Sequence, residues 1–356
     1  MVTVDGIAEL AASLRVSEPE LLWLADPKGM LRSAKRPRLH HYHRGWVPKR
    51  SGGYRLIERP KPRLKAIQRR LLSELFHAMP VHEAAHGFVR GRSAVTHAAN
   101  HCGRAVVVRV DLEDFFTSIT HARVLRRCEA FSQARGVARV LAGLCTTSLP
   151  PAELGTAPRP ASTEELPAFQ RHRERVLRRH LPQGAPTSPW LANVCAFGLD
   201  QRLQRLGEAI GARYSRYADD LVFSGDGSVS RRADRLVPVI AAIAIDSGFV
   251  VNFRKTRVMR RGDRQEVAGI VVNEHPNVRR RDYERLEAIL TNCASRGFAE
   301  ENRRGHPDFR AHLRGKIAWI ASVSPRRGDK LLAVYERAVA RDPGVQSSTQ
   351  LSLIHI

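Results

Sequence analysis

Apolar residues recur along this chain with two periods, and the switches between them mark out its elements. Residues 62–79, PRLKAIQRRLLSELFHAM, repeat at helical spacing, with Leu64, Ile67, Leu71, Leu72, Leu75 and Phe76 on one face. Residues 5–25 read as two short helices, with Ser17 placed to cap the second and Pro19 in its first turn. The stretch GWVPKRSGGYRLIER (45–59) reads as a hairpin, two extended runs joined by Ser51, Gly52 and Gly53. RAVVVRVDLEDFF (104–116) is a β-branched run closing on acidic residues, the mark of a buried strand. QGAPTSPWLANVCAFGLDQRLQRL (183–206) reads as a glycine loop entering a helix, with Ser188 as N-cap and Pro189 at the first helical position. A helix over 230–246 and a strand over 266–273 (EVAGIVVN) follow, and residues 280–340 read as mainly helical and basic. The Pro-rich stretch 147–169 breaks both periods and reads as an irregular insertion. There is no internal repeat. Strands interleaved with helices, without regular βαβ spacing, predict an α+β fold with a sheet packed by helices on one side.

RYSRYADDLVFSG (213–225) is the most unusual stretch, because Asp219 and Asp220 stand side by side between two short apolar runs. Neighbouring side chains in a regular strand point to opposite faces, and two adjacent carboxylates repel. Either the pair simply marks a hairpin turn, where Asp is favoured, or it serves a cation.

Composition bears on that choice. Across the 356 residues, 59 Lys and Arg face 35 Asp and Glu, a formal charge of +24 with His neutral. Such a balance predicts a polyanionic partner, nucleic acid first and an anionic membrane surface second. From Arg32 to Arg70 there are fourteen Lys or Arg and one acid, Glu58, where a solvated face would mix signs. The cluster HHYH (40–43) lies inside this basic stretch with no carboxylate or thiol nearby, which favours RNA contact or plain surface over a metal site. The five cysteines (102, 128, 145, 195, 293) show neither disulfide nor zinc spacing. No apolar run is long enough to span a bilayer, and the first residues lack a signal-peptide pattern, so a cytoplasmic protein with no membrane partner is expected. A chain of this length is expected to hold two or three subdomains.

Asp111 ends one expected buried strand and Asp219 begins the turn of an expected hairpin. Were the two strands sheet neighbours, three carboxylates would converge at one rim, an oxygen-only set of the kind Mg²⁺ prefers. Two such ions can activate an attacking hydroxyl and stabilise the leaving oxygen in phosphoryl transfer.

YADD (217–220), VDLEDFF (110–116) and LPQGAPTSPWLAN (181–193) occur in the order and spacing of the reverse transcriptases. They resemble the bacterial branch that includes retrons and group II introns, and the similarity spans about residues 20–340. The resemblance implies a right-hand polymerase: an N-terminal helical segment (1–30), fingers (31–104), a palm with an antiparallel sheet and helices that carries fingers insertions, the Pro-rich 147–169 among them (105–275), a helical thumb (276–342) and a tail (343–356). It implies that Asp111 and Asp219 bridge two Mg²⁺ ions, with the Leu112 carbonyl as a further ligand and Asp220 in support. Gln183 and Gly184 would line the nascent base pair, and Phe116 would be the gate that excludes a ribose 2′-hydroxyl, although Phe115 and Phe116 also read as core. Lys49 and Arg55 match residues that grip the incoming triphosphate.

The segment 87–101 resembles a retron signature ending in Asn-Ala-x-x-His, with His97 in the Asn place and His101 at its end. Val267, Ala268 and Gly269 resemble the retron Val-Thr-Gly signature, with Ala for Thr, and the resemblance implies that these three, with His97 and His101, bind RNA. Residues 313–338, including Arg314 and Lys316, resemble a retron thumb that grips structured RNA, over a core stripe of Ile317, Ile320 and Leu331. The short stretch after the thumb leaves no room for RNase H, DNA-binding or endonuclease modules, which favours a compact retron-type enzyme. The implied partners are a noncoding RNA serving as template and primer, dNTPs, a branched RNA-linked cDNA product, and an effector protein of the same operon in phage defence. The rival expectations are another stand-alone bacterial reverse transcriptase, of diversity-generating or abortive-infection type, and a non-catalytic RNA-binding protein that kept the fold. The intact aspartates argue against the last.

Overall fold

Ser17 Oγ accepts the Glu20 N–H at 3.3 Å, so the second N-terminal helix starts at its expected cap. This is a computed structural model, and it describes residues 6–342 apart from 35, 50, 51, 133, 159 and 161. The expected hairpin corner at Ser51 and the tail 343–356 lie outside the described residues. Helices α1 (Ile7–Ser13) and α2 (Glu18–Ala25) lead into the antiparallel hairpin β1 (Tyr42–Pro48) and β2 (Tyr54–Pro60). Helix α3 (Pro62–Glu74) buries its expected face through Leu64, Ile67 and Leu71. It stops short of residue 79, because Leu75 leaves helical backbone at φ −123° and a 3₁₀ turn follows over Phe76–Ala78.

A short helix, α4 (Ala94–Ala99), precedes β3 (Val106–Leu112), whose residues are almost all buried, which is why it shows no alternation. Two helices that periodicity did not mark follow, α5 (His121–Phe131) and α6 (Arg135–Cys145). The Pro-rich insertion is less irregular than expected: two 3₁₀ turns lead into α7 (Leu166–Leu177). Helix α8 (Ser188–Ile210) is capped by Thr187, not by Ser188. Thr187 already has near-helical backbone (φ −79°, ψ −22°), which places Ser188 inside the first turn.

Strands β4 (Arg213–Tyr217) and β5 (Asp220–Gly225) form the hairpin around Ala218 and Asp219. Helix α9 (Gly227–Asp246) starts earlier than expected and carries Pro238 within it. Strand β6 (Val251–Arg260) was not anticipated. The expected strand over 266–273 instead doubles back as β7 (Glu266–Val267) and β8 (Ile270–Val271), because Ala268 and Gly269 take φ of 48° and 82°, as a tight hairpin turn requires. Helices α10 (Arg280–Arg296), α11 (Phe298–Glu301), α12 (Phe309–Val323) and α13 (Pro325–Arg341) complete the chain.

The residues divide into two compact units, 1–93 with 105–258, and 94–104 with 259 onward. In the first, the sheet runs β4-β5-β3-β6, and α8 and α9 pack against it. Its core joins Val108, Val110, Leu221 and Phe223 of the strands to Leu199, Leu203, Leu236 and Ile240 of those helices. Burying large aliphatic and aromatic side chains of this kind contributes roughly 1.5–3 kcal/mol each. In the second, α10, α12 and α13 pack together through Leu290, Ile317, Ile320 and Leu331, while α4 packs on β7 and β8. No described helix is long and apolar enough to cross a membrane.

Candidate active site

In the antiparallel register of β3 and β5, Asp111 lies directly opposite Asp220. Like charges directly opposite one another destabilise a sheet, so this pairing costs stability that the local packing has to offset. Asp219 sits in the two-residue turn before β5, and its carbonyl accepts the Leu112 N–H at 2.9 Å. The adjacent aspartates thus take different roles: Asp220 is a strand residue facing Asp111, and Asp219 a turn residue tied to the end of β3.

Electrostatics binds the three into one cluster. Burial pushes the Asp220 carboxyl up to about 7, with the charges of Asp219 and Asp111 adding to the shift and Arg109 opposing it. Burial, then Asp219, likewise raises Asp111, against the charge of Lys255. Asp219 is raised by burial, with Lys255 and Arg55 acting in opposition. Lys255 Nζ, from β6, stands 3.4 Å from both carboxylate oxygens of Asp111. Among the described residues, no three His, Cys, Asp or Glu side chains form a ready metal-holding group. The donor set is nonetheless all oxygen and partly desolvated, its carboxyls remain raised despite Lys255 and Arg109, and it fits a hard divalent cation.

The expected fingers residues lie in the same unit. Arg55 is exposed on β2, and its charge acts on Asp219. Lys49 follows β1, and its Nζ pairs with Asp114 Oδ1 at 3.3 Å. The other Asp114 oxygen accepts from His172 at 2.8 Å and Arg175 at 3.2 Å, both on α7. Burial would raise the Asp114 carboxyl, but the bond and charge of His172, with Lys49 and Arg175, hold it well below the usual carboxylate range.

Gln183 is half-buried, and its carbonyl accepts the Glu58 N–H at 2.9 Å. Gly184 has φ 132°, and a Cβ there would stand 2.9 Å from the Glu58 carbonyl, so only glycine lets this loop lie against β2. Of the two phenylalanines, Phe115 is core, stacked on Phe249. Phe116 is half-buried, with its ring 6.0 Å from Phe88.

The remaining expected residues fall in the second unit. His97 and His101 are wholly buried, with ring centroids 5.5 Å apart, and Val267 is buried too. Ala268 is half-buried and Gly269 exposed at the β7–β8 turn, while Arg314 and Lys316 are exposed on α12.

Residues 47–284 match the family model described as reverse transcriptase (RNA-dependent DNA polymerase). The chain is 42% identical over 321 residues to the retron Mx65 reverse transcriptase of Myxococcus xanthus, covering 89% of this chain and 70% of that protein. The chain belongs to the retron-type reverse transcriptases. To the retron Mx162 reverse transcriptase of Myxococcus xanthus it is 38% identical over 346 residues, 93% of this chain and 66% of that one. Among solved structures, one of telomerase from Candida albicans in complex with a fragment of telomeric RNA covers 84% of this chain and 58% of that chain, at 10% identity and a TM-score of 0.43.

In this reverse transcriptase, sequence reasoning missed Lys255, Asp114 and the α7 pair His172 and Arg175. The β-branched Val250, Val251, Thr256 and Val258 of VVNFRKTRV (250–258) were the available signal for β6 and hence for Lys255. Nothing local marks His172 and Arg175, whose partners lie about sixty residues away in the chain.

Proposed function

We propose that this chain synthesises DNA on an RNA template at Asp111, Asp219 and Asp220, and in retron fashion joins the cDNA to a cognate noncoding RNA that is both template and primer. The observation that carries the reading is the placement of Asp220 opposite Asp111, with Asp219 in the adjoining turn. A pure RNA binder gains nothing from clustered carboxylates beside a polyanion.

Asp111 and Asp219 would hold two Mg²⁺ ions, with the Leu112 carbonyl and Asp220 in support. When bound, such ions supply a more acidic attacking hydroxyl and charge stabilisation at the leaving oxygen. The protein's own groups do the rest. Lys49 and Arg55 hold the triphosphate through charge and hydrogen-bond donors, which suit phosphate oxygens. Gln183 and Gly184 line the nascent base pair, and Phe116 occupies the space a 2′-hydroxyl would need.

Residues 31–104 serve as fingers, 105–275 as palm and 276–342 as thumb. Arg314 and Lys316 contact RNA phosphates. The Ala268–Gly269 turn meets the RNA directly, and the buried His97, His101 and Val267 support the surface around it. The biological role is phage defence, together with an effector protein encoded alongside.

Asp219→Asn should abolish dNTP incorporation on a primed RNA template and leave RNA affinity unchanged. Near-native synthesis would refute the catalytic assignment. Expression with the native locus and purification at high salt should retain one dominant short RNA with cDNA covalently attached. Heterogeneous RNA alongside activity on any primed template would instead indicate a stand-alone bacterial reverse transcriptase.

A further inference from the structure

Beneath the turn that carries Asp219 lies the largest wholly buried side chain among the described residues, that of Arg216. Its Nε and Nη2 donate to the two carboxylate oxygens of Asp200 at 2.7 and 2.6 Å. Its Nη1 donates to Asn193 Oδ1 and to the Ala218 carbonyl, both at 3.0 Å. Asp200 and Asn193 are wholly buried residues of α8, and the Tyr214 hydroxyl donates to Asp200 Oδ1 at 2.7 Å.

The bracket has a second arm. Asn193 Nδ2 donates to the Gly87 carbonyl at 2.8 Å, and a Cβ on Gly87 would stand 2.7 Å from the Ala218 nitrogen. The Arg216 backbone is tied to the same loop, its N–H to the Ala84 carbonyl at 2.8 Å and its carbonyl to the His86 N–H at 2.7 Å. Ala218 is therefore held from both sides, and it is held at φ 55°, a left-handed conformation that is unfavourable for an L-residue.

Burying a charged pair carries a large desolvation cost, and well-packed apolar residues often hold a fold as well or better. An apolar side chain at 216 would serve a strand core but would give the Ala218 carbonyl no donor. The planar guanidinium spans Asp200 and the turn at once, which a lysine ammonium cannot do with the same geometry.

We infer that Arg216 is a positioning residue for the polymerase reaction: anchored by Asp200 and Asn193, it fixes the Ala218 peptide and so the direction in which Asp219 presents its carboxylate. This rests on the reading of Asp219 as a catalytic residue. Asp219 follows the anchored peptide immediately, so a small rotation there swings its side chain. Misplacing a catalytic group by about 1 Å can cost on the order of 100-fold in rate.

Arg216→Lys keeps a cation beside Asp200 and loses the simultaneous grip on Asn193 and Ala218. Single-turnover dNTP incorporation on a primed RNA template should fall about 10- to 100-fold. The KM for dNTP and the RNA affinity should be unchanged, and the Mg²⁺ concentration giving half-maximal rate should rise. A rate equal to that of the unaltered enzyme, or parallel loss of rate, KM and RNA affinity, would overturn the inference. Should Arg216→Lys not fold cooperatively, Asn193→Ala decides the matter. It removes one anchor of the guanidinium and the tie to the Gly87 carbonyl while leaving the Arg216–Asp200 pair, so the rate should fall and the Mg²⁺ requirement rise with RNA affinity unchanged. An unchanged rate in Asn193→Ala overturns the inference too. Asp219→Asn separates the two readings: activity in that variant sinks the catalytic assignment itself, whereas an inactive Asp219→Asn beside a fully active Asn193→Ala sinks only the role of Arg216.

Discussion

Lys49 Nζ lies 3.3 Å from Asp114 Oδ1, so the lysine proposed to grip an incoming triphosphate is already paired with a carboxylate three residues past Asp111. Asp114 is only 8% exposed and takes His172 and Arg175 on its other oxygen, so its charge stays neutralised when Lys49 leaves. On the proposed role of Lys49, triphosphate and Asp114 would compete for one ammonium.

Asp114→Asn should remove that competition while tolerating the φ of 51° at this position, since Asn is at home in left-handed backbone. We expect the KM for dNTP to fall about 2- to 5-fold, the scale of a part-exposed ion pair worth up to about 1 kcal/mol. Lys49→Met should move KM in the opposite direction. Steady-state kinetics over a dNTP series checks both, and a raised KM in Asp114→Asn would show that the carboxylate aligns the lysine rather than competing for it.

Phe116→Ala tests sugar selection. The half-buried ring packs between Phe115 and Phe88, at centroid distances of 5.7 and 6.0 Å, which fixes its edge in place. Trimming it should open space for a 2′-hydroxyl, raising rNTP use several-fold and lowering dNTP use modestly. Competition between rATP and dATP on one template reads the ratio. An unchanged ratio would leave Phe116 as core and place the gate elsewhere.

How far the fold could be read from sequence depended on how local each determinant was. The β4–β5 hairpin, the cap at Ser17 and the apolar face of α3 are encoded within a few residues, and all appear. Strand β6 escaped because Phe253, Arg254 and Arg257 lie exposed along it, which dilutes the β-branched signal. Helices α5 and α6 passed unmarked, although most of α6 is buried, because a short apolar run does not separate helix from strand. At the candidate site, the three aspartates and the Gln183–Gly184 loop were legible. Arg216, Asp114 and Glu58 were not, since each gains its meaning from a partner brought near only by folding.

Arg314 and Lys316 should contribute to RNA affinity as phosphate contacts, being exposed on α12 above buried Leu313 and Ile317. Each substituted by Ala should weaken binding of all RNAs alike and lower the slope of log affinity against log salt by about 1. Filter binding across a salt series measures this, and an unaltered slope would remove these residues from the interface.

Glu58 and His180 are both wholly buried, with Oε2 and Nε2 2.7 Å apart. The other ring nitrogen of His180 faces the Arg178 carbonyl at 2.7 Å, so both nitrogens meet acceptors and the imidazolium satisfies both. Burial would lower its pKa, but the charge and hydrogen bond of Glu58 outweigh it and raise the value above 6.5. Burial would raise Glu58, but His180 and Arg44 hold it below 4.5. The raised histidine stabilises the fold below its unfolded pKa, and that stability is lost as pH rises through the folded value. The lowered glutamate stabilises above its unfolded pKa and loses its effect as pH falls through the folded one. The pair thus contributes fully between 4.5 and 6.5 and weakens on the alkaline side. Because the Glu58 N–H holds the Gln183 carbonyl, the same loss should loosen the loop proposed to line the nascent base pair. His180→Gln should cost about 3 kcal/mol near pH 6, at the lower end for a broken buried pair because Arg44 remains with Glu58. Urea unfolding from pH 5 to pH 9 should show the unaltered protein losing stability toward alkaline pH and the variant changing much less. Parallel profiles would mean that His180 is neutral in the folded chain.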